Sequence, residues 1–297
     1  MLRRNVLIFH NAALGDFIMT WPLAVALGRV LAQSRIIYVT ASQKGQLAER
    51  VLSVESIDAE AGWHGLLAET PSLPEQALKL VKGLQTAVVF SQSPDVRIPI
   101  NIHAIAGDNV PVLQLSPNPP PGVSVWEHQL LQLQHAPMIR NAVEQVHKII
   151  RERGLGPKLP GNGAVVIHPG SGAARKNWNY RRFIGIAMLL HEAKRDVVFA
   201  LGEVERETFG ANGMAFLSDI ADVKFCDTLL DLHALIVSAD AYVGNDSGPT
   251  HLAAVLGRNT VAMFGPTSDI VAWSPQGPRV TVLPFEATSD EVIAALT

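Results

Sequence analysis

The sequence predicts an α/β protein made of two doubly wound domains, each with a parallel sheet. Short apolar runs of four to six residues alternate with helical patterns along most of the chain, as in parallel sheets covered on both faces. Residues 154–163 contain four glycines and two prolines and cannot sustain a helix or a strand. The alternation restarts after this segment, and both halves open with a strand, a small-residue loop and a helix.

The first half, residues 1–153, is expected to form one such domain. Five apolar runs predict strands, at residues 6–10, 35–40, 54–58, 86–91 and 112–115. Helical patterns cover residues 17–32, 74–82 and 141–153. Residues 92–125 are rich in proline, and we expect this stretch to be mostly loop.

The second half, residues 164–297, repeats the alternation after the predicted linker or hinge at 154–163. Strands are predicted at residues 164–168, 197–201, 223–226, 241–244, 260–264 and 280–283. Helices are predicted at residues 180–194, 203–211, 230–238, 249–256 and 290–296. The working loops of each domain should lie at the carboxyl edge of its sheet, and two domains facing across a cleft would enclose a ligand.

Composition excludes several classes of protein. The 297 residues are 48% hydrophobic and 17% charged, and a net charge of −3 argues against nucleic-acid binding. The single cysteine, Cys226, excludes a disulfide framework and fits a reducing compartment. No run approaches the roughly 20 apolar residues that span a bilayer. The N-terminus superficially resembles a secretory signal. However, His10 interrupts its apolar run, and Asp16 would lie within any longer apolar segment. We therefore expect a first strand here and a cytoplasmic protein.

The segment Asn245-Asp246-Ser247-Gly248-Pro249-Thr250-His251 carries the strongest functional signal. It follows an apolar run typical of a strand and precedes one typical of a helix. Proline suits the first position of a helix, and serine and glycine are natural cap residues before it. The helix would therefore begin where the strand ends, with free backbone N–H groups that can bind a phosphate.

A second small-residue loop, Pro169-Gly170-Ser171-Gly172, follows the first strand of the second half. Its glycines allow close approach of the backbone to a ligand, and successive N–H groups can form an anion-binding nest. Arg175 and Lys176 lie just beyond and would add positive charge for a diphosphate. The alternative is a tight turn without a ligand, followed by a solvated pair of surface charges.

Five motifs together resemble one known family. They are Leu14-Gly15-Asp16, His168-Pro169-Gly170-Ser171-Gly172, Arg175-Lys176-Asn177-Trp178, Gly244-Asn245-Asp246-Ser247-Gly248-Pro249-Thr250-His251 and Phe264-Gly265-Pro266-Thr267. The chain resembles the heptosyltransferases of glycosyltransferase family 9. This resemblance implies a GT-B fold of two Rossmann-like domains, a role in building the lipopolysaccharide core, and ADP-heptose as the usual donor.

The resemblance also assigns roles to residues. Asp16 resembles the catalytic base, although the residues alone favour a helix N-cap at this position. Lys176 resembles the cation beside the donor phosphates. The implied donor-binding residues are Ser171, Gly172, Arg175, Glu205, Asp246, Ser247, Gly248, Thr250 and His251.

Several roles remain open at the level of sequence. Asp246 can cap the following helix or hold sugar hydroxyls in the cleft. His251 can be a packed residue or touch the donor. An acidic residue after the second strand of this domain should contact the ribose, and we favour Glu205 over Glu203. Residues 225–229 would line the nucleobase pocket by analogy, and Trp178 should pack the loop against the next helix.

The function implied is an inverting, metal-independent glycosyltransferase that needs no cofactor. Its partners would be a nucleotide diphosphate sugar and a glycan or glycolipid acceptor, and peripheral contact with the inner membrane is left open. The sequence contains no Asp-x-Asp element for a metal–diphosphate complex and no zinc-like cluster of His and Cys. The alternatives are a non-catalytic sugar-nucleotide-binding protein and a sugar-nucleotide epimerase on the same architecture.

Overall fold

The computed structural model describes residues 4–92, 97–158 and 161–296. The chain divides into two compact units, Met1–His147 and Lys148–Thr297, and each contains one fully parallel sheet. This arrangement confirms the predicted fold class. The boundary between the units lies inside a helix, shortly before the predicted linker, and Leu159 and Pro160 of that linker lie outside the described residues.

The first unit contains a five-stranded sheet with the order β3-β2-β1-β4-β5. The strands are β1 (Asn5–Phe9), β2 (Arg35–Thr40), β3 (Glu55–Asp58), β4 (Leu84–Phe90) and β5 (Val112–Leu115). Every residue of β1 is buried, as expected for a central strand covered on both faces. The apolar run after the N-terminus is therefore a strand, as predicted. The strand order reverses between β1 and β4, and crevices form outside the carboxyl ends of strands at such a switch point.

The helices of this unit are α1 (Leu14–Met19), α2 (Trp21–Val30), α3 (Ser42–Leu52), α4 (Glu75–Lys82), α5 (Arg97–Ala106), α6 (Val125–Gln132) and α7 (Pro137–Arg153), with a 3-10 helix at Trp63–Leu67. The prediction of one helix over residues 17–32 was wrong, because the helix is interrupted at Thr20 and two helices form instead. Pro22 has no N–H to donate to the carbonyl four residues earlier. The Thr20 hydroxyl instead donates to the Phe17 carbonyl at 2.7 Å and contacts the Tyr38 hydroxyl at 2.8 Å.

The prediction that residues 92–125 are mostly loop was also wrong in part. Helix α5 occupies ten of these residues. Pro99 lies in its first turn, where the missing N–H has no intrahelical partner to lose, so the proline is tolerated. Residues 93–96 of this stretch lie outside the described part of the chain.

The second unit contains a six-stranded sheet with the order β11-β10-β9-β6-β7-β8. The strands are β6 (Val165–His168), β7 (Val197–Leu201), β8 (Asp222–Phe225), β9 (Ala241–Asn245), β10 (Asn259–Phe264) and β11 (Val280–Pro284). All six lie close to the predicted positions. The strand order reverses between β6 and β9, so the switch point of this sheet lies where these two strands end.

The helices of this unit are α8 (Tyr180–Glu192), α9 (Glu203–Ile220), α10 (Leu229–Ser238), α11 (Gly248–Val255), α12 (Ile270–Trp273) and α13 (Ser289–Ala295), with a 3-10 helix at Ala174–Lys176. The predicted end of α9 at residue 211 was wrong, since the helix continues to Ile220. Leu217 is buried in the core of this unit. The free energy gained by burying Leu217 outweighs the modest loss of helix stability that the glycines within α9 cause.

The beginning of the predicted linker lies within the second unit and packs against the end of α11. The Leu155 amide donates to the Val255 carbonyl at 2.7 Å. Gly154 has a positive φ of 72°, and a Cβ there would lie 2.6 Å from the Gly257 nitrogen, so only glycine fits. A hinge at residues 154–163 stays a prediction. None of the helices in the described ranges combines the length and apolar character that crossing a bilayer requires.

Candidate functional site

The two small-residue loops begin side by side at the switch point of the second sheet. Strands β6 and β9 are paired, with His168 opposite Gly244. The loop at residues 169–172 leaves one strand, and Asp246 and Ser247 leave its neighbour. The structure therefore brings the two predicted phosphate-binding loops together at the carboxyl edge of one sheet.

Asn245 ties these loops to each other. Its side-chain oxygen accepts the Trp178 amide at 2.8 Å, and its side-chain nitrogen donates to the Pro169 carbonyl at 2.7 Å. Asn245 is fully buried, so both bonds satisfy groups that have no access to water. Asn245 belongs to the segment with the strongest functional signal, but the sequence assigned no role to it. An asparagine at the end of a buried strand is the signal that could have revealed it.

Lys176 and Asp246 form an ion pair in the same place. The lysine Nζ lies 2.7 Å from the Asp246 Oδ2, and the carboxylate side chain is 4% exposed against 30% for the lysine. The Ser268 hydroxyl donates to the same Oδ2 at 2.7 Å. Among the described residues, the Asp246 carboxylate bonds to the lysine and the serine and does not cap helix α11. Ser268 is a second residue to which the sequence assigned no role.

Glu205 lies against the first loop. It is buried, whereas Glu203 is exposed. One of its carboxylate oxygens accepts the Gly202 amide at 2.8 Å, so Glu205 caps the start of α9 from its third position. The other carboxylate oxygen lies so close to Gly170 that a Cβ added at this glycine would be 1.7 Å from it. The structure thus places Glu205 beside the candidate phosphate loop.

Helix α11 presents its N-terminus at the same edge. Ser247 is its N-cap and Pro249 lies in its first turn, as predicted. The Thr250 and His251 amides donate to the Ser247 carbonyl. In the part of the chain that the structure describes, the amides of Ser247 and Gly248 have no protein acceptor. These two N–H groups can bind an anion at the positive end of the helix dipole.

The side chains of Thr250 and His251 are both buried in the first turn of α11. The fully buried Thr250 hydroxyl donates to the Asn245 carbonyl at 2.5 Å. His251 is also buried, and its Nδ1 has no partner among the described residues. Burial lowers the pKa of His251 to about 4, with Asp246 opposing this shift and Lys176 adding to it. A neutral imidazole is therefore the form expected at pH 7.

Ser171, Gly172 and Arg175 complete the predicted set in this unit. The Ser171 hydroxyl donates to the Ala173 carbonyl at 2.8 Å, so it organises its own loop. Gly172 and Arg175 are exposed. Trp178 is buried and meets Phe183 edge to face at 5.1 Å between ring centroids, in the packing role that the sequence predicted.

The first unit carries Asp16 in the first turn of α1. The N-cap of this helix is Ala13, so Asp16 does not have the N-cap position that the residues alone suggested. Lys44, which we did not identify from the sequence, donates from Nζ to the Ala12 carbonyl at 2.5 Å. Burial lowers the pKa of Lys44, and the nearby charge of Asp16 opposes this shift. The carboxylate of Asp16 in α1 and the ammonium group of Lys44 in α3 therefore lie close enough to interact.

The described ranges contain no group of three His, Cys, Asp or Glu side chains placed to hold a metal ion. Cys226 is half-buried, and burial together with Asp231 and Asp227 raises the pKa of its thiol to about 11. The thiol is therefore protonated at pH 7 and is a poor nucleophile.

Two doubly wound domains of this kind define a protein with the GT-B fold. A family model described as glycosyltransferase family 9 (heptosyltransferase) matches residues 133–291, more than half of the chain. The chain therefore belongs to glycosyltransferase family 9, as its motifs indicated.

Known relatives agree with this assignment. Lipooligosaccharide heptosyltransferase 2 of Campylobacter jejuni subsp. jejuni serotype O:2 is 27% identical over 151 residues, which are 48% of this chain and 47% of that protein. Lipopolysaccharide heptosyltransferase 3 of Escherichia coli is 30% identical over 118 residues, 39% of this chain and 34% of that protein. The chain spans about half the length of the Campylobacter relatives it matches.

Solved structures share the fold over almost the whole chain. The E. coli ADP-heptose lps heptosyltransferase II superposes with a TM-score of 0.69 at 18% identity, covering 98% of this chain and 97% of that one. The E. coli heptosyltransferase WaaC with ADP gives a TM-score of 0.63 at 15% identity, with 98% of each chain covered. At these identities the likeness establishes the fold, and roles of single residues need their own argument.

Proposed function

We propose that this protein transfers a sugar, a heptose, from a nucleotide diphosphate donor to an acceptor hydroxyl. The acceptor would be the lipopolysaccharide core or another surface glycan, and the donor would be ADP-heptose. The new bond forms between the acceptor oxygen and the anomeric carbon, while the bond from that carbon to the diphosphate oxygen breaks. Attack from the face opposite the leaving group inverts the configuration at this carbon.

One observation carries the proposal: the paired loops at the switch point of the second sheet, with Lys176 between them. Departure of the diphosphate leaves new negative charge on its oxygens. The free amides of Ser247 and Gly248 and the Lys176 ammonium group are fixed in place before the reaction. Preorganised donors of this kind stabilise developing charge without reorganisation. They could supply this stabilisation without a divalent ion.

The comparisons support the choice of donor. A solved structure of WaaC contains ADP and another contains ADP-2-deoxy-2-fluoro heptose, and both share this fold. In the present chain Glu205 would bind the ribose hydroxyls, since it follows β7. A carboxylate after the second strand is the group that binds the ribose in many dinucleotide-binding folds. Phe225, which is 43% exposed beneath the Arg206 guanidinium, would contact the base.

Asp16 is proposed as the general base that takes the proton from the acceptor hydroxyl. It lies in the first turn of α1, after the strand that ends at the switch point of the first sheet. Removing a general base typically slows a reaction about 10²- to 10⁴-fold. We further propose that the reaction takes place on the cytoplasmic side of the inner membrane, where the protein meets a membrane-bound acceptor peripherally.

The test compares Asp16→Asn with Asp108→Asn, which changes an exposed carboxylate in a loop of the same unit. Transfer from ADP-heptose should fall by at least 10²-fold in Asp16→Asn while the Kd for ADP stays within about twofold. Asp108→Asn should leave both unchanged. Equal loss of transfer and of ADP binding in Asp16→Asn would show that this residue is structural.

A thermal-shift series with ADP-, GDP- and UDP-sugars identifies the donor, because a ligand that binds the folded state raises Tm by mass action. The same protein incubated with donor alone separates the proposal from its rivals. Turnover without acceptor would indicate an epimerase, and tight donor binding with no product on any acceptor would indicate a binding protein. Activity that persists in a chelator would support metal independence, and the anomeric configuration of the product reports inversion.

A further inference from the structure

The second unit contains a cavity at the edge of its sheet opposite the candidate site. The cavity has a volume of about 510 Å³. Asp240, Arg258 and Arg279 line it, and each immediately precedes a strand: β9, β10 or β11. Because all strands of this sheet are parallel, their amino ends meet at one edge. The cavity is therefore separate from the loops that follow the strands.

The lining of this cavity is strongly basic although the whole chain is slightly acidic. It contains five cationic side chains and one carboxylate, namely Arg153, Lys158, Arg195, Arg258, Arg279 and Asp240. None of the five cations forms an ion pair with any residue that the structure describes. Like charges gathered in one concave surface raise the local potential for anions.

Arg258 is the buried member of this cluster. Its two terminal nitrogens donate to the Ala239 and Pro157 carbonyls, both at 3.1 Å, and these bonds fix the guanidinium in place. Its Nε is buried without a partner among the described residues. Burial lowers the pKa of Arg258, and the charge of Arg279 lowers it further. The charge of Asp240 opposes this lowering of the pKa, but Asp240 forms no ion pair with Arg258 in the described part of the chain.

We propose that this cavity binds a phosphate-bearing anion with at least two phosphate groups. Asp240 and a single phosphate of charge about −2 would still leave about two of the five positive charges uncompensated. The volume lies within the range of small-molecule sites, about 300–1,000 Å³. Arginine and lysine are the residues that bind phosphate oxygens through charge-assisted hydrogen bonds. Gly156 and Gly161 of the 154–163 segment also line the cavity, so the bound anion contacts that segment.

The test measures binding of inorganic pyrophosphate by calorimetry to the full chain and to three variants. Lys158→Gln/Arg279→Gln removes two exposed cations whose side chains make no hydrogen bond in the described structure. Arg50→Gln removes an exposed charge elsewhere. Lys176→Met weakens the candidate donor site, which pyrophosphate could also occupy. All three variants are first checked for an unchanged far-UV circular dichroism spectrum. The double variant Lys158→Gln/Arg279→Gln and the control Arg50→Gln are also checked for an unchanged Tm.

The wild type and Arg50→Gln should bind pyrophosphate with the same affinity. Lys158→Gln/Arg279→Gln should lose at least about tenfold in affinity at the cavity, since hydrogen bonds to charged groups are the strong ones. Lys176→Met should retain binding at the cavity. Pyrophosphate binding that is unchanged in Lys158→Gln/Arg279→Gln, or absent in Lys176→Met, would overturn the proposal.

A second measurement separates the two sources of such an anion. Flotation with vesicles of phosphatidylcholine containing cardiolipin, whose headgroup carries two phosphates, against phosphatidylcholine alone, reports binding to phosphate headgroups. Vesicle binding that Lys158→Gln/Arg279→Gln abolishes would support the site and assign it to a lipid headgroup. Pyrophosphate binding at the cavity without vesicle binding would support the site and assign it to a soluble phosphorylated ligand. Binding of neither probe at the cavity would refute it.

Discussion

Lys176 and Asp246 come from different loops of the second unit and form an ion pair of 2.7 Å at the switch point of its sheet. The carboxylate is almost fully buried and also accepts the Ser268 hydroxyl. Burying a carboxylate costs free energy unless it is paired and hydrogen-bonded, and Lys176 and Ser268 supply these partners. The pair therefore fixes the lysine, which would hold the donor phosphates, and joins the two loops.

Lys176→Met should destabilise the protein by about 1–3 kcal/mol, because it leaves a buried charge without its cation. The partial exposure of the lysine keeps this effect below that of a fully buried pair. The free energy of unfolding in urea measures it. Lys79→Met is the control, since its pair with Glu75 is largely exposed and should contribute less than about 1 kcal/mol. Equal losses in the two variants would contradict the role given to Asp246.

Gly170→Ala and Gly172→Ala form a matched pair in one loop. A Cβ at position 170 would lie 1.7 Å from a carboxylate oxygen of Glu205, so the buried glutamate must move. A Cβ at position 172 meets no atom within 4 Å. Gly170→Ala should cost about 1–3 kcal/mol in stability through this overpacking and should weaken ADP binding. Gly172→Ala should change stability by less than about 0.5 kcal/mol.

Urea denaturation and calorimetry with ADP check both glycine variants. If Gly170→Ala were as stable as the wild type and bound ADP equally well, Glu205 would not be held against this loop. A Gly172→Ala variant that lost only ADP affinity would instead indicate that the ligand itself approaches position 172.

Asn245→Asp tests the bond between the loops. The carboxylate can still accept the Trp178 amide, but it cannot donate to the Pro169 carbonyl and repels it. Loss of a buried hydrogen bond together with a buried charge should cost about 2–4 kcal/mol, measured as the free energy of unfolding. Asn177→Asp in the same region is exposed and serves as the control. A loss that is similar in both variants would mean that Asn245 does not organise the site.

Much of the fold could be predicted from the sequence because its strands are continuous apolar runs. Strand β1 is buried at every position, and its run could be recognised without knowing its neighbours. The break at Thr20 follows from Pro22 and from a contact of Thr20 with Tyr38 in the next strand, and a helical pattern of apolar residues does not show that contact. Helix α5 begins with a proline in its first turn, and local composition alone favours a loop there.

The candidate site could be predicted in part for the same physical reason. Glycine and proline at strand ends signal the loops directly, and Ser247 and Pro249 are found at the expected start of α11. The partners that hold these loops are distant in sequence: Asn245 reaches Pro169, 76 residues away, and Ser268 reaches Asp246 across 22 residues. Such hydrogen bonds depend on which strands become neighbours, and a linear pattern does not determine this.

A buried histidine of the first unit makes the stability of the protein sensitive to acid. His10 is buried between Phe17 and Phe90, and both of its ring nitrogens lack a hydrogen-bond partner in the described ranges. Burial lowers the pKa of His10 to about 3 from 6.5, and the charge of Lys44 contributes to the shift. The unfolded chain therefore binds a proton between these two pH values while the folded protein does not. Stability is lost as pH falls below about 6.5.

His10→Phe removes this proton uptake, and the quantity to compare is the change in unfolding free energy between pH 7 and pH 5. The wild type should lose about 2 kcal/mol more than His10→Phe over this interval. His251 should add a loss in the same direction in both proteins, because its pKa is also lowered. His64→Gln, at an exposed position, should follow the wild type. A wild type and a His10→Phe variant with parallel pH profiles would show that His10 can be protonated in the folded state.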